Sequence, residues 1–207
     1  MILYSDITYL CNIKMSQLDK YNLIDFSYHV KLVLRQVHPD LSIRKDASLN
    51  MSLLLNFILR KIIKRINFRE IDKYKKLKNQ QDDIFSFVPG LLKDFCIREG
   101  NKAVEKYKTT YSSEYDDEKL DLSYRCGLKF RVDKIKTVYD YNIKLIIYIT
   151  AVLEYLCAEI MEIAGNFTRN RRRVYVTKKF LKETIYEDPE LGELKNKFSG
   201  KLKELFD

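Results

Sequence analysis

Apolar residues along this chain recur mostly at intervals of three and four. The clearest case is Ile149 to Asn166, ITAVLEYLCAEIMEIAGN. Placed on a helix at about 100° per residue, Ile149, Val152, Leu153, Leu156, Ile160 and Ile163 fall in one apolar arc, with Glu154, Glu159 and Glu162 opposite. Spacing alone therefore predicts a helix with one buried face and one solvated acidic face.

The same reading extends along the chain. Residues 1–25 scatter Leu3, Ile7, Leu10, Ile13 and Leu18 among charges, the pattern of an ordered extension. FSYHVKLVLRQVHPD then puts Val30, Val33, Leu34 and Val37 on one helical face and stops at His38-Pro39-Asp40, because proline disfavours helix at the residue before it. A loop, Leu41 to Lys45, leads to a long helix opened by Asp46. Its stripe is Met51, Leu55, Ile58, Leu59, Ile62 and Ile66, and it fades near Tyr74. KKLK reads as a basic loop, and Asn79 is placed to cap a third helix, Gln80 to Val88. Pro89-Gly90 breaks the chain before an amphipathic helix from about Leu91 to Tyr107.

Lys108 to Ser123 loses this periodicity and collects Glu114, Asp116, Asp117, Glu118 and Asp121. It reads equally as a dedicated linker, able to span on the order of 50 Å when stretched, and as an ordinary polar loop. The helical pattern then restarts. CGLKFRVDKIKTV forms a short helix with Val132, Ile135 and Val138, Asp140 to Lys144 a loop, and about Leu145 to Arg169 a long helix. RNRRRVYV is a second loop, KKFLKETIYEDPEL a third helix with its exit, and GELKNKFSGKLKELFD a short helical tail.

Composition narrows the class. Six Gly and three Pro in 207 residues leave little material for hairpin turns, so the expectation is all-α, and 46% hydrophobic residues suffice for a core. A net charge of +9 suits an anionic partner, nucleic acid ahead of a membrane surface, since the basic residues concentrate in loops instead of on one amphipathic face. Cys11, Cys96, Cys126 and Cys157 lie far apart and read as reduced, packed thiols. No signal peptide is expected, and the apolar runs are too short to cross a bilayer, so the chain reads as soluble. His29 and His38 are the only histidines, and there is neither a Gly-rich phosphate loop nor a ligand-spaced Cys or His set. The expectation is no enzyme, no metal and no cofactor.

Particular words in the sequence go further. LRQVHPD, the later PG and then EGNKAVEKY resemble histone H-two-B through its C-terminal helix, over roughly Phe26 to Tyr111. RCGLKF, AVLEYL and AEIMEIAGN resemble histone H-two-A, over about Ser123 to Leu191. Short helix, loop, long helix, loop, short helix is the histone fold. The resemblance implies two histone folds in one chain forming an intramolecular head-to-tail, or handshake, pseudo-dimer. The implied divisions are an N-terminal extension (1–25), an H-two-B-like fold with its C-terminal helix (26–107), an acidic linker (108–123), an H-two-A-like fold (124–191) and a short C-terminal extension (192–207). Tethering makes the pairing intramolecular, at effective concentrations of order millimolar. The arrangement is similar to the doublet histones of certain large DNA viruses.

From this resemblance follows an expected set of DNA contacts: Arg44 and Lys45 beside Arg171, Arg172 and Arg173; Lys75 and Lys76 beside Lys144; and a basic entry at Arg125, Lys129, Arg131 and Lys134. An acidic patch for arginine-bearing tails or factors is implied at Glu99, Glu154, Glu159, Glu162, Asp188 and Glu190. Departures accompany these expectations. Tyr175 stands where the H-two-A pattern has its minor-groove arginine, Pro189 replaces one carboxylate, and the first loop of the second half is short and holds only Lys144. The implied function is sequence-independent packaging of double-stranded DNA in nucleosome-like particles with H-three and H-four type histones, themselves joined as a doublet or separate. A nucleoprotein location follows, in a virion or viral factory for a viral source and in the nucleus otherwise. The competing reading is a histone-fold scaffold subunit of a transcription or replication complex.

Overall fold

Helices dominate, as the apolar spacing requires. A computed structural model describes residues 23–67, 78–111 and 121–197. The expectations for the N-terminal extension through residue 22, for Lys75 and Lys76, for most of the acidic stretch and for the last ten residues lie outside those ranges. In chain order the elements are α1 (Ser27–Val37), β1 (Ser42–Ile43), α2 (Lys45–Asn67), α3 (Gln81–Ile84), α4 (Gly90–Tyr111), α5 (Leu122–Arg125), α6 (Val132–Lys136), α7 (Ile143–Asn170), β2 (Tyr175–Val176), α8 (Lys178–Glu187) and α9 (Pro189–Lys197). They group into two compact units, residues 1–58 with 157–207 and residues 59–156. α2 and α7 each contribute residues to both, and α4 lies wholly within the second.

In the unit built from the two chain ends, α1 buries Val30, Val33 and Leu34, the face its spacing assigns. It stops at His38, whose N–H closes on the Leu34 carbonyl at 2.7 Å. Met51, Leu55 and Ile58 of α2 are fully buried. Residues before α1 are strapped to α2 by two polar side chains that periodicity does not reveal. Ser52 Oγ accepts from Phe26 N–H at 2.9 Å, and the Asn56 amide both accepts from Ile24 N–H and donates to Ile24 O. Buried backbone groups without partners cost about 1–3 kcal/mol each, so Ser52 and Asn56 are what allows Leu23, Ile24 and Phe26 to be buried. The two short strands are parallel, with Ser42 opposite Tyr175 and Ile43 opposite Val176. Sequence reading predicts only loops there, because two residues are too few to show alternation.

In the central unit, Leu59, Ile62 and Ile66 continue the buried stripe of α2. Five sequence expectations are corrected in this region and in α7. The third helix is not Gln80 to Val88: only Gln81–Ile84 is helical, its N-cap is Gln80, and no side-chain capping bond is made. Phe85, Phe87 and Val88 instead form a buried turn, and Pro89 removes the helical option at Val88. The helix after Pro89 runs to Tyr111, past the expected end at Tyr107, and Leu122–Arg125 is an additional helix in which Asp121 caps Ser123 N–H. Lys144 does not sit in a loop. It belongs to the first turn of α7, where Asn142 Oδ1 accepts its N–H at 2.9 Å.

The fifth correction concerns burial around α7. From Leu145 to Leu153 every residue is buried, so this half of the helix has no solvent face. A helix apolar all round is a core helix. Only from Glu154 onward does one side open, and Ile163, placed in the apolar arc by periodicity, is half-exposed while Met161 is fully buried.

Candidate nucleic-acid interface

The strand pair organises the richest cationic edge. Ser42 N–H donates to Val174 O and Arg44 N–H to Val176 O, at 2.9 and 3.0 Å, which ties the backbone carrying Arg44 and Lys45 to the backbone that follows Arg171, Arg172 and Arg173. Val176 is fully buried beneath the pair and anchors it. All five cations are exposed.

The run of three arginines is shaped by how α7 ends. Arg172 has φ +53°, the left-handed position that usually follows a helix C-terminus, and Arg173 N–H returns to Thr168 O at 3.0 Å. Glycine is the ordinary occupant, and an L-residue there costs roughly 1–2 kcal/mol. Arg171 is engaged within the chain. Its guanidinium lies 2.9 Å from a Glu183 carboxylate oxygen and stacks over the Phe167 and Phe180 rings. Arg44, Lys45, Arg172 and Arg173 make no side-chain ion pair among the described residues. Two large apolar residues, Val174 and Tyr175, are also exposed here, at 59% and 52%.

Beneath this edge the turn after α1 is locked in place. His38 is buried, with its Nε2 2.8 Å from Glu162 O, and a Cβ at Gly165 would fall 2.0 Å from the His38 ring. Gly165 is therefore a close-approach glycine. Asp40 forms a two-pronged pair with Arg169, whose guanidinium holds the Asp40 carboxyl below its ordinary range. Neither His38 with Gly165 nor Asp40 with Arg169 is legible in sequence, since the partners lie far apart in the chain.

The basic segment of the central unit differs. Arg131 is exposed but occupied: its guanidinium makes a two-pronged pair with Asp133, at 2.9 and 3.0 Å, and lies 3.2 Å from Asp121. Lys134 is half-buried and has intramolecular interactions, while Lys144 is half-buried near Glu105. Arg125 and Lys129 line an open recess of about 370 Å³ together with Lys106, Thr110, Tyr124, Gly127 and Leu128. Cys126 beside it is buried, which pushes its thiol up to about 11 and leaves it unreactive at neutral pH.

The acidic residues also separate by role. Glu154 is a structural acceptor: its Oε2 takes the N–H groups of Lys129 and Phe130, both at 2.7 Å, and burial raises its carboxyl above the ordinary value despite those two bonds. Glu99 pairs with Arg98 and Lys102. Asp188 spends one oxygen on Leu191 N–H at the start of α9. Glu159, Glu162 and Glu190 make no side-chain ion pair among the described residues. Among those residues, too, no cluster of His, Cys, Asp or Glu could hold a metal ion, and no helix is long and apolar enough to cross a membrane.

Paired strands edged with exposed cations that make no side-chain ion pair among the described residues can bind phosphate groups. Comparison with known proteins gives this edge a context. No family model matches the chain. It is 40% identical over 80 residues to histone H-two-A.Z of Eremothecium gossypii and 39% identical over 80 residues to histone H-two-A.Z of Saccharomyces cerevisiae, each match covering 35% of this chain and 60% of the relative. With histone H-two-A.Z of Lodderomyces elongisporus the identity is 36% over 91 residues, 40% of this chain and 68% of the relative. The chain thus spans between 60% and 68% of the length of these curated relatives.

Proposed function

This chain belongs to the histone H-two-A.Z family over the matched part of its length, and on that premise we propose that it is a core histone that packages double-stranded DNA without reading its sequence. The observation that carries the proposal is the strand pair: Ser42 opposite Tyr175 joins Arg44 and Lys45 to Arg172 and Arg173 in one exposed, unpaired cationic edge. Such an edge meets phosphates along a duplex, and counterion release supplies the affinity. No catalytic group takes part.

The finer reading is a doublet. Residues 26–107 act as an H-two-B-like half and 124–191 as an H-two-A-like half, paired head to tail as in the doublet histones of large DNA viruses. Support comes from the grouping of chain segments, because residues before Ile58 pack with residues after Cys157 within one compact unit, as a handshake requires. In this reading two copies join H-three and H-four type histones, themselves a doublet or separate, in a chromatin-like particle. Glu159, Glu162 and Glu190 are the patch carboxylates left available to arginine-bearing tails or factors.

Reconstitution with and without H-three and H-four type partners, followed by nuclease digestion, tests the assignment. A discrete protected length on unrelated sequences is expected, with binding that weakens steeply as salt rises. A smear at every histone ratio overturns packaging, and selective retention of one promoter sequence supports the scaffold-subunit reading instead.

A further inference from the structure

We infer that Val174 and Tyr175 lie against the sugar faces of a bound DNA duplex and favour deoxyribose over ribose. This contact rests on the reading of the strand pair as a phosphate-binding edge, and adds what that edge selects. Val174 is 59% exposed and Tyr175 52%, and the two are adjacent in the chain, whereas the other exposed large apolar residues, Tyr28, Leu91 and Tyr124, stand singly. Single apolar residues on a surface are ordinary, so the contiguous pair is the informative feature. Alternation along β2 turns Val176 inward, where it is fully buried, and Tyr175 outward, level with the exposed Ser42 of β1. The segment is held at three points. Arg173 N–H donates to Thr168 O at 3.0 Å, and Val174 O and Val176 O accept from Ser42 N–H and Arg44 N–H at 2.9 and 3.0 Å. The apolar pair is therefore carried on fixed backbone, which lowers the entropy cost of seating it on a ligand.

Charge decides what the pair meets. Arg173 lies two residues before Tyr175 on its own strand, and Arg44 lies two residues beyond Ser42, the partner of Tyr175, on the other. Each is at most about 7 Å along the pair from the tyrosine. Arg44, Lys45, Arg172 and Arg173 are all exposed. The occupant must then present anionic groups on both sides of an apolar strip. A free polyphosphate lacks the strip, whereas a nucleic-acid duplex supplies both, with sugar rings set between successive phosphates. In RNA each of those rings carries a 2′-hydroxyl, which would lose water against the Val174 side chain and the Tyr175 ring without gaining a hydrogen bond from them. Deoxyribose has no such group to desolvate. Sugar contacts carry no base information, so the choice is between kinds of nucleic acid and not between sequences.

The test measures binding of the full chain to DNA and RNA duplexes of one length and sequence across a salt series. Val174→Ser with Tyr175→Ser should weaken DNA binding about tenfold at every salt concentration and leave RNA binding within about twofold, with the salt slope unchanged because neutral side chains displace no counterions. Tyr175→Phe should keep DNA binding within about twofold, since the ring makes the contact. Tyr175→Trp gives a second readout. The chain has no other tryptophan, so its emission reports this position alone and should become shielded from acrylamide when DNA is added. Equal weakening toward DNA and RNA, an unchanged DNA affinity, or a Tyr175→Phe variant as weak as the serine variant would each overturn the contact. So would a tryptophan already shielded before DNA is added, as a second copy of the chain seated there would produce. The premise fails separately: an unchanged salt slope in Arg172→Gln with Arg173→Gln removes the phosphate-binding edge, whereas a lowered slope beside an unaffected serine variant removes the sugar contact alone.

Discussion

Two basic regions of this molecule carry similar numbers of cations and treat them differently. At the strand pair, Arg44, Lys45, Arg172 and Arg173 are exposed and free of side-chain ion pairs among the described residues, and the backbone of Ser42 and Arg44 is bonded to that of Val174 and Val176, directly after the arginine run. In the segment from Arg125 to Lys134, Arg131 is spent on Asp121 and Asp133, and the loop is held from below by Glu154. Charge count therefore does not identify an interface. What matters is whether the fold leaves the charge without a partner and fixes the backbone that carries it.

The largest expected effect removes the support of the strand pair. Gly165→Ala drives a Cβ into the buried His38 ring, and overpacking of that kind costs roughly 1–3 kcal/mol. We expect the upper end, read as a shift in the denaturant midpoint. Full stability in this variant would mean that the turn before β1 is not locked by His38.

Next in size is the loss of unpaired charge. Each phosphate contact contributes about 0.9 to the slope of log affinity against log salt. Arg172→Gln with Arg173→Gln should lower that slope by about 2 and weaken duplex binding about 30-fold near physiological salt. An unchanged slope would remove the strand pair from the interface.

Glu154 sharpens the contrast from the other side. Glu154→Ala strands the Lys129 and Phe130 N–H groups and should cost about 1–2 kcal/mol, while Glu154→Gln keeps an acceptor oxygen and should cost much less. Its pH signature has a defined sign. Burial raises the folded carboxyl above its ordinary value, so between those two values the folded chain binds the proton more tightly than the unfolded chain. Its contribution to stability is therefore greater at the acid side of that window and falls as pH rises through it. Glu154→Gln should remove this slope in denaturation curves recorded across the acid range, and an identical pH dependence would reject the assignment. The smallest effect belongs to Arg131→Ala, which should leave the salt slope unchanged because that guanidinium is already paired with carboxylates.

Sequence reading goes a long way with local pattern. α1, α7 and α8 fall close to their expected bounds, and α2 starts close to where it is expected while its expected end near Tyr74 lies outside the described residues, because three-four spacing and Pro39 act over a few neighbouring residues. It fails where a few residues carry mixed signals. Asn79 is a plausible cap that is not used, and Phe85, Phe87 and Val88 suggest helix but serve better as a buried turn. Of the candidate contacts, the backbone tie between Arg44 and the segment after the arginine run follows from the family resemblance and is present within one unit. The internal use of Glu154, Arg131 and Arg171 is not foreseeable, since their partners Phe130, Asp121 and Glu183 are set by packing.

The amino-acid order alone determined that this protein is helical, cationic and built on two long amphipathic segments, because periodicity and charge are properties of neighbours along the chain. Tertiary structure alone decided which charges remain available. Two carboxylates or two guanidiniums of identical chemistry become a tether or an open contact according to what a distant segment brings within about 3 Å, and nothing local to Glu154 or Arg172 distinguishes those fates.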